Sequence, residues 1–163
     1  MKKTMITLAA SLGGLAFGLA LPGAEKERVP YPDGYRDWQH VKSMVIQPGH
    51  SLYESFGGIH HLYANEKAMK GYQAGKFPDG AVIIFDLLEA VSAESAIGEG
   101  KRKVVGVMHK DSRRFASTGG WGFEGFAGDS RTERAVGEKA ATACFACHVS
   151  KKSSDFVFSQ YRP

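Results

Sequence analysis

Cys144, Cys147 and His148 belong to the sequence Cys-Phe-Ala-Cys-His, and this motif constrains the chain more than any other feature. On a helix, residues three apart share a face, so both thiols can reach one edge of a flat macrocycle while the histidine lies under its centre. Cys-x-x-Cys-His is the attachment sequence of c-type haem. The motif therefore predicts one covalent haem c, attached through Cys144 and Cys147, with His148 as the metal ligand.

The same two cysteines could instead form a redox dithiol, a structural disulfide or half of a zinc site. They are the only cysteines in the sequence. A zinc site would need a second pair of ligands, and a thioredoxin-like dithiol is expected after an early strand rather than near the C-terminus. Haem attachment is therefore the favoured interpretation.

The N-terminus has the pattern of a secretory signal peptide. Lys2 and Lys3 precede an apolar run from Met5 to Leu21, and small residues follow it. We predict a signal peptide over residues 1–24, with cleavage between 20 and 24. A retained membrane anchor is the alternative, but the run is rich in Gly and Ala and only just long enough to span a bilayer. Because c-type haem is attached outside the cytoplasm, we expect a periplasmic protein with no membrane contact after cleavage.

Residues 25–163 are enough for one compact haem-binding domain. Loss of Lys2 and Lys3 lowers the formal net charge from +4 to about +2. The remaining charges are mixed in sign, with no basic block or basic stripe interleaved with aromatic residues. The composition therefore does not indicate nucleic-acid binding.

Apolar patterns predict several strands and two helices. Asn65 is the expected N-cap of a helix that ends at Gly75, and a second, alanine-rich helix runs into the haem motif. The polar stretch Ser92–Gly100 is expected to be a loop. The strands are predicted over 41–46, 55–63, 81–88, 103–109 and 121–126. This spacing predicts an α+β fold, mainly an antiparallel sheet with a few flanking helices and with the haem held by the C-terminal helix.

The second axial position of the iron decides what such a haem does. Electron carriers fill it with Met or His, whereas gas-binding and catalytic haems leave it open. The candidate sixth ligands are Met44, Met69, Met108, His40, His50, His60, His61 and His109. For His60 a surface position is the first expectation, ahead of a role as distal ligand or pocket donor.

Five segments, in this order and spacing, resemble the cytochrome P-460 superfamily. They are Tyr35-Arg36-Asp37-Trp38, Tyr63-Ala64-Asn65, Phe77-Pro78-Asp79-Gly80-Ala81-Val82, Gly119-Gly120-Trp121-Gly122-Phe123, and Cys144 to His148 followed by Asp155-x-Val157-Phe158. The resemblance covers nearly all of the chain after the leader. It implies a mainly β, dimeric fold, and hence a homodimer.

The superfamily has two functional branches that differ at one position. Members of the enzyme branch carry a lysine cross-linked to the haem and oxidise hydroxylamine, whereas cytochromes c′-beta lack the cross-link and bind nitric oxide and carbon monoxide. The lysine lies five residues beyond the glycine of the Asp-Gly turn, and counting from Gly80 gives Phe85 here. A phenyl ring has no amine for a cross-link, so the chain most resembles cytochrome c′-beta.

The resemblance implies an open, apolar distal pocket in which Phe56 and Phe85 occupy the two phenylalanine positions. We therefore expect a protein that binds nitric oxide and carbon monoxide in scavenging, transport or sensing, and that is more a gas binder than an enzyme. Ordinary core positions are the alternative for both rings. Two other functions remain open: hydroxylamine oxidation of the P-460 type, and simple electron transfer with a redox partner protein.

Overall fold

Five antiparallel strands form a single sheet in the computed structural model, which describes residues 28–163. The predicted signal peptide lies outside the described residues. Along the sheet the strands follow chain order: β1 (Gln39–Ile46), β2 (Gly58–Ala64), β3 (Val82–Ala93), β4 (Ala96–Lys110) and β5 (Trp121–Ala127). None of the helices within 28–163 is long and apolar enough to cross a membrane. The predicted α+β fold with a mainly antiparallel sheet is confirmed.

Two helices and a longer helical segment flank the sheet. They are α1 (Tyr53–Phe56), α2 (Glu66–Ala74) and the C-terminal helical segment, residues 137–154. The Asn65 side chain accepts a hydrogen bond from the backbone N–H of Ala68 at 2.9 Å, and Gly75 ends α2 in the left-handed conformation. Both predicted ends of this helix are confirmed.

The strand predicted over Ser55–Tyr63 is wrong at its start, because Phe56 belongs to α1 and β2 begins only at Gly58. Gly57 packs under the ring of Tyr53, where an added Cβ would lie 2.5 Å from Tyr53 Cδ2. At Gly58 the backbone has φ +132° and a Cβ would collide with the carbonyl of Leu88. The two glycines therefore terminate α1 and let β2 approach β3.

The loop predicted over Ser92–Gly100 is also wrong. β3 and β4 continue past the core as a hairpin arm, residues 89–101, and turn at Glu94 and Ser95, whose φ values are 51° and 64°. Positive φ at both turn residues suits the twist of a two-residue hairpin. The arm is almost entirely exposed. Backbone pairing rather than burial makes it a strand, so its side chains carry no apolar alternation.

The sheet has two covered faces. The motif face packs against α2 and the C-terminal helical segment, through a buried cluster that includes Ile83, Trp121 and Phe123. The back face packs against the segment that precedes β1, through Ile84, Phe126 and other buried side chains. Neighbouring residues in a strand point to opposite faces, so Ile83 packs in the core of the motif face and Ile84 packs in the core of the back face.

A buried charge lies in the middle of the back face. The Asp86 side chain is fully buried and accepts hydrogen bonds from Tyr35 Oη at 2.8 Å, Arg102 Nε at 2.7 Å and Arg36 Nη1 at 3.2 Å. Burial, together with the hydrogen bond to Asp86, raises the pKa of Tyr35, which keeps its hydroxyl protonated as a donor. Three donors from two parts of the chain thus offset the desolvation of the carboxylate.

Arg102→Met should destabilise the protein by about 3 kcal/mol, because it leaves Asp86 buried with only part of its compensation. The matched control is Arg131→Met, which breaks the Arg131–Asp33 pair, whose side chains are each 71% exposed; it should cost less than about 1 kcal/mol. Urea unfolding of the purified protein measures both. Equal losses in the two variants would contradict this account of Asp86.

Candidate haem site

Cys144 and Cys147 lie three residues apart in the C-terminal helical segment, as the motif requires. The segment is irregular: a 3₁₀ turn (Gly137–Lys139), a π-helical turn (Ala141–Phe145), an α-helical turn (Ala146–His148) and a second 3₁₀ stretch (Val149–Ser154) follow one another. A helical motif segment was expected, but not this mixture. Single π-helical turns are often found at functional sites.

The two cysteines are free and differ in exposure. Cys144 is half-buried against the core of the motif face, and Cys147 is exposed. Burial, assisted by the charge of Glu124 and by Cys147, raises the pKa of Cys144 to about 11. The Cys144 thiol is therefore neutral at pH 7. Their roles as the haem attachment residues remain predictions.

The ring of His148 is fixed by one hydrogen bond and two aromatic neighbours. Nδ1 lies 2.7 Å from the carbonyl oxygen of Phe156, and the ring centroid lies 5.0 Å from the rings of Phe123 and Phe158. A carbonyl can only accept, so Nδ1 carries the proton and the lone pair is on Nε2. Burial lowers the pKa of His148, which favours the neutral imidazole. An iron-binding histidine needs this tautomer, oriented by such a second partner.

Two glycines lie side by side next to Phe85 on the motif face. In the sheet register Phe85 pairs with Gly106, and Gly106 pairs with Gly125, so the two glycines stand side by side in β4 and β5. An added Cβ would lie 3.3 Å from Phe85 Cβ at Gly106, and 3.1 Å from Val136 Cγ2 at Gly125. The side chains of Phe85 and Val136 therefore already pack against the two glycines. Sequence reasoning missed this glycine pair, because its two members lie in different strands.

The adjacent glycines Gly57 and Gly58 likewise have no open space beside them, because Tyr53 and the carbonyl of Leu88 already occupy it.

Phe56 and Phe85, predicted from the resemblance to share a pocket, are in contact. Their ring centroids lie 5.7 Å apart at an interplanar angle of 85°. Phe85 is half-buried in β3, and Phe56 extends from α1 with 38% of its surface exposed. Edge-to-face geometry is favourable for aromatic pairs. The pairing is in place although the element that carries Phe56 was predicted wrongly.

His60 belongs to the same cluster, which corrects its expected surface position. It is 4% exposed, and its ring centroid lies 4.6 Å from that of Phe85. Its Nδ1 is buried without a hydrogen-bond partner among the described residues. Burial, with a smaller contribution from His61, lowers the pKa of His60 to about 4. At neutral pH the cluster of Phe56, His60 and Phe85 is therefore uncharged.

The sheet separates the candidate sixth ligands. His60, Met44 and Met108 pair in register with residues of the motif face, on the same side as His148. His61 pairs with Asp86 and contacts the rings of His40 and Tyr63, and His109 pairs with Val82, all on the back face. A haem held by His148 cannot use ligands across the sheet, so His40, His61 and His109 are excluded.

The resemblance assigns the cross-linking position to Phe85, and neither of its cross-strand partners in the described sheet is a lysine. Phe85 pairs with Leu62 on one side and Gly106 on the other. Lys42 in β1 pairs with Leu62, so it lies two strands away from Phe85 on the same line of cross-strand partners. Lys103 donates from Nζ to the carbonyl of Gly57 at 2.8 Å, next to Phe56.

Two thiols at the right helical spacing and a histidine held in the Nδ1–H tautomer against an apolar sheet face together fit a c-type haem. Cys144 and Cys147 would hold its edge, and His148 Nε2 would bind its iron. These features define the class of c-type haem proteins.

Residues 32–159 match the family model Cytochrome P460, and the chain belongs to this family. The match confirms the superfamily inferred from the sequence, and with it a haem-binding cytochrome. A comparison with curated proteins finds no relative that matches the chain.

His60 should make the folded protein less stable in mild acid. Its pKa is about 4 when folded and near the ordinary 6.5 when unfolded, so between these values only the unfolded chain takes up the proton. Stability is then greatest above pH 6.5 and falls as the pH is lowered towards 4. Thermal unfolding across this window should show a smaller loss for His60→Leu than for the unchanged protein.

His50→Leu is the matched control, because His50 is exposed and lies outside the aromatic cluster. The control should keep the full acid-dependent loss of thermal stability. A His60→Leu profile parallel to that of the unchanged protein would refute the role of His60.

Proposed function

We propose that this protein is a periplasmic mono-haem cytochrome of the c′-beta type, whose open distal site binds nitric oxide and carbon monoxide. Its role would be nitric oxide scavenging, transport or sensing. The observation that carries the proposal is Phe85, which stands at the position of the cross-linking lysine and has the ring of Phe56 against its own. When bound, the haem would supply an iron that can bind a small gas, with His148 as its protein ligand.

The chain's own residues determine which ligand that position accepts. Phe56 and Phe85 offer no hydrogen bond, which disfavours oxygen because its ferrous complex is charge-separated and needs polar support. Neutral nitric oxide and carbon monoxide need less of it. His60 is uncharged at neutral pH, so it adds polarity to one side of the cluster without adding charge. The site would select small neutral gases largely by withholding polar contacts.

The optical spectrum of the purified haem protein tests this directly. We expect high-spin, five-coordinate iron that takes up nitric oxide and carbon monoxide and forms no stable oxygen complex. Six-coordinate low-spin iron without ligand uptake would refute the proposal and favour an electron carrier, with Met44, Met69, Met108, His50 or His60 as the sixth ligand.

Mass spectrometry of the haem peptide separates the hydroxylamine-oxidising alternative in the same preparation. We expect the haem to be attached only to the Cys144–Cys147 fragment. A lysine-containing peptide joined to it would refute the c′-beta assignment and favour the enzyme. Lys42 and Lys103 are the lysines to examine first. Lys42 pairs with Leu62, the cross-strand partner of Phe85, and Lys103 contacts the carbonyl of Gly57 next to Phe56.

The hairpin arm supports the proposed homodimer. It extends beyond the core, and Val91 and Ile97 are 48% and 47% exposed on it. Val91 pairs with Gly98 and Ile97 pairs with Ser92, so the two side chains lie on opposite faces of the arm. A second copy of the chain that packs along the arm would cover the exposed apolar side chain of Ile97.

Sedimentation of the purified protein should therefore give a dimer, and Ile97→Asp should shift it towards monomer because it places a charge in the apolar contact. Lys70→Asp is the control, since Lys70 is exposed on α2, away from the arm. Equal dimer fractions for the two variants, or a monomeric unchanged protein, would contradict the assignment of this surface.

A further inference from the structure

The carbonyl that holds His148 belongs to a strained piece of backbone. Asp155 and Phe156 have φ values of 51° and 65°, a left-handed conformation that residues other than glycine rarely adopt. These two residues turn the chain back after the C-terminal helical segment and bring the Phe156 carbonyl to 2.7 Å from His148 Nδ1. Such a conformation persists only where the surroundings hold it firmly.

Asp155 is held from three sides. Lys110 Nζ lies 2.7 Å from Asp155 Oδ1, the backbone N–H of Phe77 donates to Oδ2 at 2.9 Å, and Trp121 Nε1 donates to the Asp155 carbonyl at 2.8 Å. The side chains of Lys110 and Asp155 are only 6% and 12% exposed. Lys110 Nζ also donates to the Gly119 carbonyl at 3.1 Å. The end of β4, the start of β5 and the loop after α2 thus meet at this carboxylate.

The neighbouring Phe156 is fixed by packing. Its ring lies over Gly119, where an added Cβ would come within 2.5 Å of Phe156 Cζ. It also lies 5.3 Å from the ring of Phe145 in the haem motif. Gly119 therefore allows the approach of the residue whose carbonyl contacts His148.

We propose that Lys110, through its ion pair with Asp155, is a positioning residue for the axial histidine and thereby tunes the bond between His148 and the haem iron. The hydrogen bond from Nδ1–H to a fixed carbonyl makes Nε2 a stronger donor. Releasing Asp155 lets the strained backbone relax and lengthens that hydrogen bond. This inference rests on His148 as the axial ligand, but not on which gas the other side binds.

The alternative is that the Lys110–Asp155 ion pair only anchors the C-terminal residues to the sheet and has no effect on the iron–histidine bond. A buried ion pair broken on one side destabilises a protein whatever it is next to. Stability alone therefore does not separate the two roles, and the test needs a signal that comes from the iron–histidine bond.

The experiment compares Lys110→Met with the unchanged haem protein by resonance Raman spectroscopy of the reduced form and by redox titration. We expect the iron–histidine stretching band to move to lower frequency and the reduction potential to rise, because a weaker histidine donor stabilises ferric iron less. Lys110→Arg keeps the charge and should restore both signals in large part.

Asp155→Asn provides a second variant if Lys110→Met does not fold. It removes the charge but keeps an oxygen that can accept from Phe77, so we expect smaller shifts in the same directions. Arg131→Met breaks an exposed pair far from the motif and should leave both signals unchanged.

If Lys110→Met or Asp155→Asn lowers the unfolding temperature but leaves the iron–histidine band and the reduction potential unchanged, the proposal is overturned. The ion pair would then serve stability alone. His148→Ala separates this failure from failure of the haem assignment, since it should abolish the iron–histidine band. If the unchanged protein proves to be six-coordinate, gas binding fails, but the shift in reduction potential still tests the role of Lys110.

Discussion

The packing of Phe123 against the haem motif is the contact on which the site depends. Phe123 is buried in β5 and touches the rings of both Phe145 and His148, at 6.2 and 5.0 Å. The motif lies in an irregular helical segment that could not hold its own position, since short helices are marginal without tertiary packing. Anchored here, His148 faces the same side of the sheet as Phe85.

In the proposed haem site, that placement would give the two sides of the iron to different parts of the chain. The proximal side would be built by the C-terminal residues, where Lys110 pairs with Asp155 and the Phe156 carbonyl lies against His148. The distal side would be built by the middle of the sheet, where Phe85 and His60 lie in neighbouring strands. Substitutions on one side would then change the iron without unfolding the other side.

Local sequence patterns predicted most of the fold. They failed where contacts between distant residues, rather than the local pattern, determine the secondary structure. β5 and the caps of α2 follow from apolar alternation and from Asn65 and Gly75, and both are confirmed. The hairpin arm was missed because it is paired but not buried, so its sequence is polar. The start of β2 was missed because Gly57 serves a close contact with Tyr53, which no local pattern contains.

The sequence by itself determined the haem class, because a covalent attachment motif needs only two thiols and a histidine at fixed spacing. Through the resemblance, it also predicts that Phe85 occupies the position that distinguishes the two branches. Only the tertiary structure decided what surrounds these residues: the burial of His60, the pairing of Gly106 with Gly125, and the hydrogen bond between His148 Nδ1 and the Phe156 carbonyl. These depend on register and on contacts between distant strands, which sequence spacing does not encode.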